Sequence, residues 1–232
     1  MRGKPNHKMK LADAIRNRHS CRAFLAREVE ADKIERILKL AARAPSGGNL
    51  QPWRVAVVSG RTKRALAEEM AARFRAGVRS EPDYQYYPKH WTEPYKSRRV
   101  ACGLQLYSAL GIEREDKERR REQWIENYRS FGAPVVLYLY MESHLAAGAS
   151  GAYVDLGSFL QSLLLAALEE GLATCPQQAL AEYPRIVKQT LGLGDDTVLV
   201  CGVALGYEDM SAPVNRYRTP RAELVEFVRY FS

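Results

Sequence analysis

Apolar residues recur along this chain in two patterns, one with the period of a helix and one in short unbroken runs. Within residues 31–42, Ile34, Ile37, Leu38 and Ala41 repeat at the i, i+3, i+4, i+7 spacing that places them on one face of an amphipathic helix. Short apolar runs rich in β-branched and aromatic residues instead predict buried strands. These runs occupy residues 53–59, 134–140 and 197–205.

The longest apolar segment covers residues 152–171. Its main stripe has helical spacing and consists of Phe159, Leu160, Leu163, Leu164, Ala167 and Leu168, widened by Leu156 and Leu165. A helix that is apolar nearly all round is buried, so we expect this one in the core and at a dimer interface, with Gly171 ending it. Because no apolar run reaches the roughly 20 residues that cross a bilayer, no membrane partner is expected.

The remaining elements complete a layered arrangement. Further helices are predicted at about 62–75, 97–110, 113–130 and 183–191, and a short strand with a turn at 172–178. Helices separate the strands, which is typical of proteins that layer helices on a sheet. Since there is neither an internal repeat nor a linker, residues 1–232 predict a single domain with a disordered tail at 1–9. The glycines at 192 and 194 lack the other features of a dinucleotide-binding fingerprint, so a Rossmann domain is not expected.

Residues 78–99 differ from their surroundings. They carry prolines, tyrosines and a tryptophan without helical or strand periodicity. Aromatic residues in a loop interrupted by proline favour a lid over a flat substrate. An irregular segment packed at a subunit surface is the alternative.

The net charge of +8 over 232 residues indicates acidic partners. Basic residues are scattered among acidic ones without a recognisable nucleic-acid-binding motif, so we expect anionic small molecules rather than nucleic acid. Cys21, Cys102, Cys175 and Cys201 are widely spaced and have no metal-ligand pattern, which is typical of reduced, packed thiols. The basic N-terminal residues are not followed by the apolar stretch of a secretory signal, so the expected location is the cytoplasm.

Four short motifs carry the functional information. They are RHSCR at 18–22, APSGGNLQPW at 44–53, GLATCPQQA at 171–179 and APVNRYRTP at 212–220. In this order they resemble the nitroreductase superfamily of flavin enzymes, and within it the bacterial nitroarene reductases of the nitrobenzoate type. The likeness covers nearly the whole chain from about Met9 onward, and four ordered motifs are far more specific than one.

The resemblance implies a fold and an activity. The fold is α+β and nitroreductase-like, with a mixed central sheet flanked by helices and a C-terminal arm, residues 222–232, exchanged in a homodimer. The cofactor is FMN, with NAD(P)H as co-substrate, and the reaction is the two-electron, ping-pong reduction of small nitroaromatic compounds to hydroxylamines.

The resemblance also implies residue roles. Cofactor binding is expected from Arg18, His19, Ser20, Arg22, Pro45, Ser46, Gly47, Asn49, Pro176, Gln177, Gln178, Arg216 and Arg218. Within this set, Arg22 stabilises reduced flavin, and the residues at 45–49 come from the other subunit. Main-chain N–H groups of the turn at 176–178 meet the flavin, while no side-chain acid, nucleophile or metal is required. Substrate contacts are expected from Tyr87, Trp91, Tyr95, Lys96, Arg99, Trp124 and Tyr128.

Other activities remain open from the residues alone. A flavin-dependent reductive dehalogenase or a quinone reductase shares this fold. The dehalogenase branch places a lysine after a Trp-Ile pair, whereas Trp124-Ile125 is followed here by Glu126. A basic nucleic-acid-binding module without redox activity explains the charge but leaves the ordered motifs as coincidence.

Overall fold

A four-stranded antiparallel sheet runs through the part of the chain that the computed structural model describes, residues 9–147 and 151–232. Its strands are β1 (Arg54–Ser59), β2 (Val135–Glu142), β3 (Ala173–Gln177) and β4 (Thr197–Gly206), in the spatial order β1-β2-β4-β3. A mixed sheet was expected. Within the described residues the only parallel pairing is the isolated bridge between Ser20 and Thr174. The three strand pairs are antiparallel because the second strand of a pair begins near the end of the first, as Ser59 opposite Val135 and Glu142 opposite Thr197 show.

Helices cover both faces of this sheet. The described residues form α1 (Leu11–Asn17), α2 (Ala31–Ala41), α3 (Gly60–Arg75), α4 (Tyr95–Ala109), α5 (Lys117–Ile125), α6 (Ser143–Ala146), α7 (Gly151–Glu169), α8 (Pro184–Leu191) and α9 (Leu224–Phe227). The helices predicted at 31–42, 62–75, 97–110, 152–171 and 183–191 are confirmed to within a few residues, whereas the helix predicted at 113–130 is limited to α5. The architecture is therefore the expected α+β one.

The position of β2 between two hydrophobic cores explains why its sequence is apolar at almost every position. Successive side chains of a strand point to opposite faces. Leu137 and Leu139 pack with α2 and α7 in a first core, while Val136 and Tyr138 pack with α3 and α8 in a second. Because both faces of β2 are buried, the alternation of polar and apolar residues disappears.

Helix α7 lies in the first core. Its side chains Leu156, Phe159 and Leu163 are at most 2% exposed, and Phe159 stacks on Trp53 with ring centroids 5.0 Å apart. By length and composition α7 has the properties of a membrane-crossing helix, contrary to the expectation that no apolar run is long enough. Its place in the core accounts for that composition.

Strand β1 is less buried than its sequence predicts. It forms one edge of the sheet, and along it only Val58 is buried, while Val57 is 47% exposed. The apolar run predicts a core strand, but periodicity alone does not distinguish a central strand from an edge strand.

The tail predicted at 1–9, the irregular segment predicted at 78–99 and the C-terminal arm at 222–232 have different outcomes. The tail at 1–9 lies outside the described residues except for Met9. The segment at 78–99 is irregular only as far as residue 94, since α4 begins at Tyr95. Residues 222–232 form an extended arm interrupted by the single turn of α9.

The close approach of β4 to the loop that follows β3 makes Gly202 a sensitive position. A Cβ at residue 202 would lie 2.7 Å from Leu180 Cβ. We expect Gly202→Ala to lower the free energy of unfolding by about 1–3 kcal/mol through overpacking. Gly103→Ala, in α4 with no atom within 4 Å of the new Cβ, is the matched control and should be neutral or stabilising. Equal denaturation midpoints for the two variants would contradict the packing argument.

Candidate functional site

A cavity of about 710 Å³ opens where β3 ends, within the size range of small-molecule sites. Pro176, Gln177 and Gln178 form one wall, and Tyr153 of α7 and Tyr84 form another. The third sequence motif therefore lies at the edge of a cavity.

The first motif is held against the same strand by main-chain contacts. Ser20 bridges to Thr174, and Cys21 N donates to Thr174 O at 2.9 Å. Asn215 of the fourth motif is buried, and its Oδ1 accepts from Arg22 N at 2.8 Å while its Nδ2 donates to Ala23 O. Three motifs that are far apart in the sequence thus meet beside β3, whose start contacts the first motif and whose end borders the cavity.

Arg18 and Arg221 lie near each other without a compensating acid. Burial, and secondarily the charge of Arg221, lower the pKa of the Arg18 guanidinium. Neither arginine forms an ion pair with a carboxylate in the described part of the chain. Two adjacent cations without an acid favour an oxyanion between them.

Arg221 is a candidate site residue that the sequence reasoning missed. Its guanidinium donates to Thr219 O, Thr219 Oγ1 and Pro220 O at 2.8–3.0 Å. It also lines a smaller cavity of about 330 Å³ between α4 and residues 219–226. The available signal was the arginine in Arg218-Thr219-Pro220-Arg221 that directly follows the fourth motif, three residues after Arg218.

The two arginines expected at the fourth motif are engaged locally. Arg218 donates to Asn215 O at 2.7 Å and to Tyr217 O at 2.9 Å, and Arg216 donates to Ser211 O at 2.7 Å. Both side chains stabilise the loop that carries Asn215. Arg22 donates to the Tyr217 hydroxyl at 3.3 Å, so it lies beside the same loop.

His19 has a structural contact. Its ring nitrogens lie 3.0 Å from Asn17 O and 3.0 Å from Glu208 Oε1, and the His19 and Glu208 side chains are 15% and 17% exposed. The imidazole is therefore engaged with Glu208.

The second motif forms a tight turn against α7. Gly48, Asn49 and Gln51 have positive φ values of 56°, 57° and 50°. Asn49 and Gln51 are not glycines, and such residues rarely adopt positive φ values. Gly47 N donates to Asp155 Oδ1 at 3.1 Å. No described hydrogen bond joins Pro45, Ser46, Gly47 or Asn49 to Arg18–Arg22 within one chain.

The aromatic segment, residues 78–94 before α4, is half-buried at Tyr84 and largely exposed beyond it. Tyr84 is half-buried, whereas Tyr86 and Tyr87 are 56% and 54% exposed and meet edge to face at 4.7 Å. Tyr87 contacts Trp91, and the Arg99 guanidinium lies 5.0 Å from the Trp91 ring. Lys96 and Tyr95 are exposed on the first turn of α4.

Trp124 and Tyr128 have different environments. Trp124 is 40% exposed, but Tyr128 is 1% exposed in the second core and donates its hydroxyl to Glu182. Tyr128 therefore supports the fold rather than contacting a ligand directly.

All four cysteines are free thiols, and no group of His, Cys, Asp and Glu side chains in the described ranges has metal-binding geometry. Burial raises the pKa of Cys21 to about 12, of Cys175 to about 11 and of Cys201 to about 12. Cys102 of α4 is the half-buried one.

These thiols should differ sharply in reactivity. A raised thiol pKa keeps the sulfur protonated near neutral pH, and the thiolate is the nucleophile. We expect a chromogenic disulfide reagent to modify one thiol of the folded protein promptly, and Cys102→Ser to remove that phase. Prompt modification of two or more thiols in the native protein would contradict the assignment.

Comparison with known proteins identifies the family. The Nitroreductase family model matches residues 15–207. A 4-nitrobenzoate reductase of Nocardioides sp. (strain LMS-CY) is 36% identical over 219 residues, covering 93% of this chain and 87% of that protein. A crystal structure of the FMN and NADPH-dependent nitroreductase NfnB from sphigopyxis sp. strain HMH superposes with a TM-score of 0.92 at 43% identity, covering 97% of this chain and 100% of that one.

A second nitroreductase structure agrees. The FMN-dependent nitroreductase NfnB from Mycobacterium smegmatis, solved in complex with NADPH, has a TM-score of 0.89 at 34% identity and covers 96% of this chain and 100% of its own. These matches confirm the nitroreductase-like fold that the four motifs predicted. Since the family model covers well over half of the sequence, this chain belongs to the Nitroreductase family.

Proposed function

We propose that this chain is an FMN-dependent oxidoreductase that takes electrons from NADH or NADPH and reduces nitroaromatic compounds to hydroxylamines. The observation that carries the proposal is the surroundings of β3: the turn at its end, 176–178, borders a cavity, and Arg18 lies near Cys175 of the strand and near Arg221, with no carboxylate paired to either arginine among the described residues. A flat ring system joined to a phosphate matches this pair of features.

The residues present fit FMN. Arg18 and Arg221 supply cations for its phosphate, Ser20 supplies a hydroxyl, and Arg216 and Arg218 hold the loop beside them. The ring binds at the cavity wall formed by Pro176, Gln177 and Gln178. Gln177 Oε1 is buried without a hydrogen-bond partner among the described residues, which suits a ligand N–H group at this position.

The chain's own residues bind and stabilise rather than react. When bound, FMN accepts two electrons from a reduced nicotinamide and transfers them to the nitro group. Arg22 supplies a fixed positive charge that stabilises the reduced cofactor electrostatically. His19 is engaged with Glu208 and Cys175 is buried and protonated, so neither serves as a side-chain acid or nucleophile.

We propose a homodimer with two composite sites. The exposed face of α7 includes Gly157 and Val154, the latter 69% exposed, and small and apolar residues suit close packing of a second copy. In the arm at 222–232, Phe227, Tyr230 and Phe231 are 66%, 88% and 91% exposed, which favours exchange of this arm onto the partner. Pro45, Ser46, Gly47 and Asn49 then reach the cofactor across the interface. A monomer that retains stoichiometric FMN would contradict this arrangement.

The substrate surface is proposed to be the aromatic segment and the helices beside it. Tyr87, Trp91 and Tyr95 supply flat faces, and Lys96 and Arg99 supply cations. Trp124, 40% exposed, supplies a further aromatic ring, while the buried Tyr128 is omitted. We propose the cytoplasm as the compartment, which suits four free thiols.

Reductive dehalogenation is less favoured. Glu126, which follows the Trp-Ile pair, accepts a hydrogen bond from Arg129 at 2.9 Å and adds negative charge where that branch has a lysine. A nucleic-acid-binding role is also less favoured, because basic residues such as Arg36, Arg73 and Arg75 are paired with carboxylates.

Steady-state turnover against nitroarenes, quinones and halotyrosines tests the activity. We expect nitroarenes to react, and 4-nitrobenzoate to have a higher kcat/KM than neutral nitrobenzene, because Lys96 and Arg99 attract a carboxylate. Lys96→Ala and Arg99→Ala should each reduce this preference, and a bound ion pair should persist as salt is raised better than steering by the net field. Turnover of halotyrosines or quinones alone would overturn the proposal.

The arginines should separate into two functional groups. Arg18→Ala and Arg221→Ala remove charged hydrogen bonds worth about 1.5–3 kcal/mol each, so FMN should dissociate about ten- to a hundredfold more readily. Arg22→Ala should instead lower the flavin's two-electron potential and slow turnover more than it weakens FMN binding, since the charge it balances exists only after reduction. Arg218→Ala should also weaken FMN retention, through the loop it supports.

The exposed Arg61 of α3 provides the matched control for loss of one positive charge. Arg61→Ala should leave FMN affinity and potential unchanged. If Arg22→Ala has the wild-type potential, the role of Arg22 is wrong, and if Arg221→Ala binds FMN as Arg61→Ala does, Arg221 is not a phosphate ligand.

A further inference from the structure

Strand β4 contains an irregularity beside the candidate site. In its pairing with β2, Leu199 opposes Tyr140 and Cys201 opposes Leu139, so Val200 has no partner residue on β2. Its pairing with β3 ends at Gly202. Val200 is therefore the extra residue of a β-bulge, whose main-chain groups must be satisfied outside the ladder.

Asp83 and Tyr84 supply hydrogen-bond partners for the main chain at this bulge. The Tyr84 hydroxyl donates to Val200 O at 2.9 Å, and Asp83 Oδ2 accepts from Leu199 N at 2.8 Å. Asp83 is also paired with Lys188 at 2.9 Å, and the two side chains are only 19% and 10% exposed. The segment is thus attached to β4 at two consecutive residues.

The same hydroxyl also contacts the cofactor turn. The Tyr84 oxygen lies 3.0 Å from the amide Oε1 of Gln178. A phenol has one hydrogen, and a hydroxyl that donates to Val200 O has only lone pairs left for a second contact. Because burial raises the pKa of Tyr84, the phenol keeps its hydrogen at neutral pH.

The amide of Gln178 must therefore present its donor. A half-turn of the amide exchanges Oε1 and Nε2 with little change in shape, and hydrogen bonding decides between the two orientations. With Nε2 facing Tyr84, each group in the series from Gln178 to Tyr84 to Val200 donates to the next. The carbonyl Oε1 is then free to accept a hydrogen bond from a ligand at the end of β3.

We infer that Tyr84 is a positioning residue: its hydroxyl is fixed by the bulge at Val200 and orients the Gln178 amide so that Oε1 serves as an acceptor at the cofactor cavity. This inference rests on the proposed FMN site for its consequence but not for the orientation itself. It gives the Gln178 side chain a role beyond its main-chain N–H.

The orientation is measurable in the protein without flavin. The side-chain NH₂ signals of ¹⁵N-labelled glutamine report on their hydrogen bonds, and Gln178→Ala identifies the signals of Gln178. Tyr84→Phe keeps the ring that contacts Tyr153 at 5.0 Å but removes the hydroxyl, so the Gln178 NH₂ signals should shift. Tyr86→Phe, whose ring lies 6.3 Å from Tyr84, is the matched control and should leave them in place. Unshifted signals in Tyr84→Phe would overturn the inference.

The consequence for the cofactor requires a double-mutant cycle. Tyr84→Phe and Gln178→Ala should each weaken FMN binding by about three- to tenfold, the loss of one hydrogen bond. If Tyr84 acts through Gln178, the double variant should bind FMN no more weakly than Gln178→Ala alone. Effects that multiply, with a lower Tm as the only shared change, would indicate a merely structural tyrosine and overturn it.

The two proposals fail separately. A wild-type protein that binds no FMN contradicts the proposed function, whereas the amide signals still decide whether Tyr84 orients Gln178. An FMN-binding protein whose Tyr84→Phe variant has wild-type affinity contradicts only the inference about Tyr84.

Discussion

The pairing of β4 with β2 on one side and β3 on the other is the constraint on which the rest of the structure depends. This pairing buries β4 along nearly its whole length. Neighbouring side chains approach its backbone so closely that only glycine fits at two positions. A Cβ at Gly202 would lie 2.4 Å from Leu180 Cδ1, and one at Gly206 would lie 2.6 Å from Pro134 Cδ. Because Gly202 lies opposite Gln177 and Gly206 opposite Ala173, these contacts fix both ends of β3, and with them the turn at 176–178.

Charge is arranged around that turn in an unusual way. Most arginines in the described part of the chain are paired with carboxylates or main-chain carbonyls, as Arg36, Arg218 and Arg221 are. Arg18 is half-buried beside Arg221, and its unfavourable environment is reflected in a lowered pKa. A protein gains nothing in stability from such a pair, so an anionic ligand is the simplest physical reason for it.

The sequence predicts the elements well because their patterns are local. Helix α2 follows from four apolar residues at helical spacing, and β2 from an unbroken apolar run. It does not predict that β1 is an edge strand, since edge position depends on pairing between distant segments. The bulge at Val200, the burial of Tyr128 and the proximity of Arg221 to Arg18 have the same origin, because each depends on contacts across more than fifty residues.

The central claim is that one bound FMN connects a reduced dinucleotide to a nitroarene. Its most direct test is anaerobic mixing of the flavin-loaded protein, first with NADPH or NADH and then with 4-nitrobenzoate, while the visible absorption of the flavin is followed. We expect the dinucleotide to bleach this absorption and the nitroarene to restore it in the absence of the dinucleotide, each reduced flavin supplying the two electrons that take the nitro group to nitroso. Turnover with at least two equivalents of dinucleotide per nitroarene should then give the hydroxylamine as the final product. Bleaching that nitroarenes do not reverse, or a flavin that neither dinucleotide reduces, would contradict it.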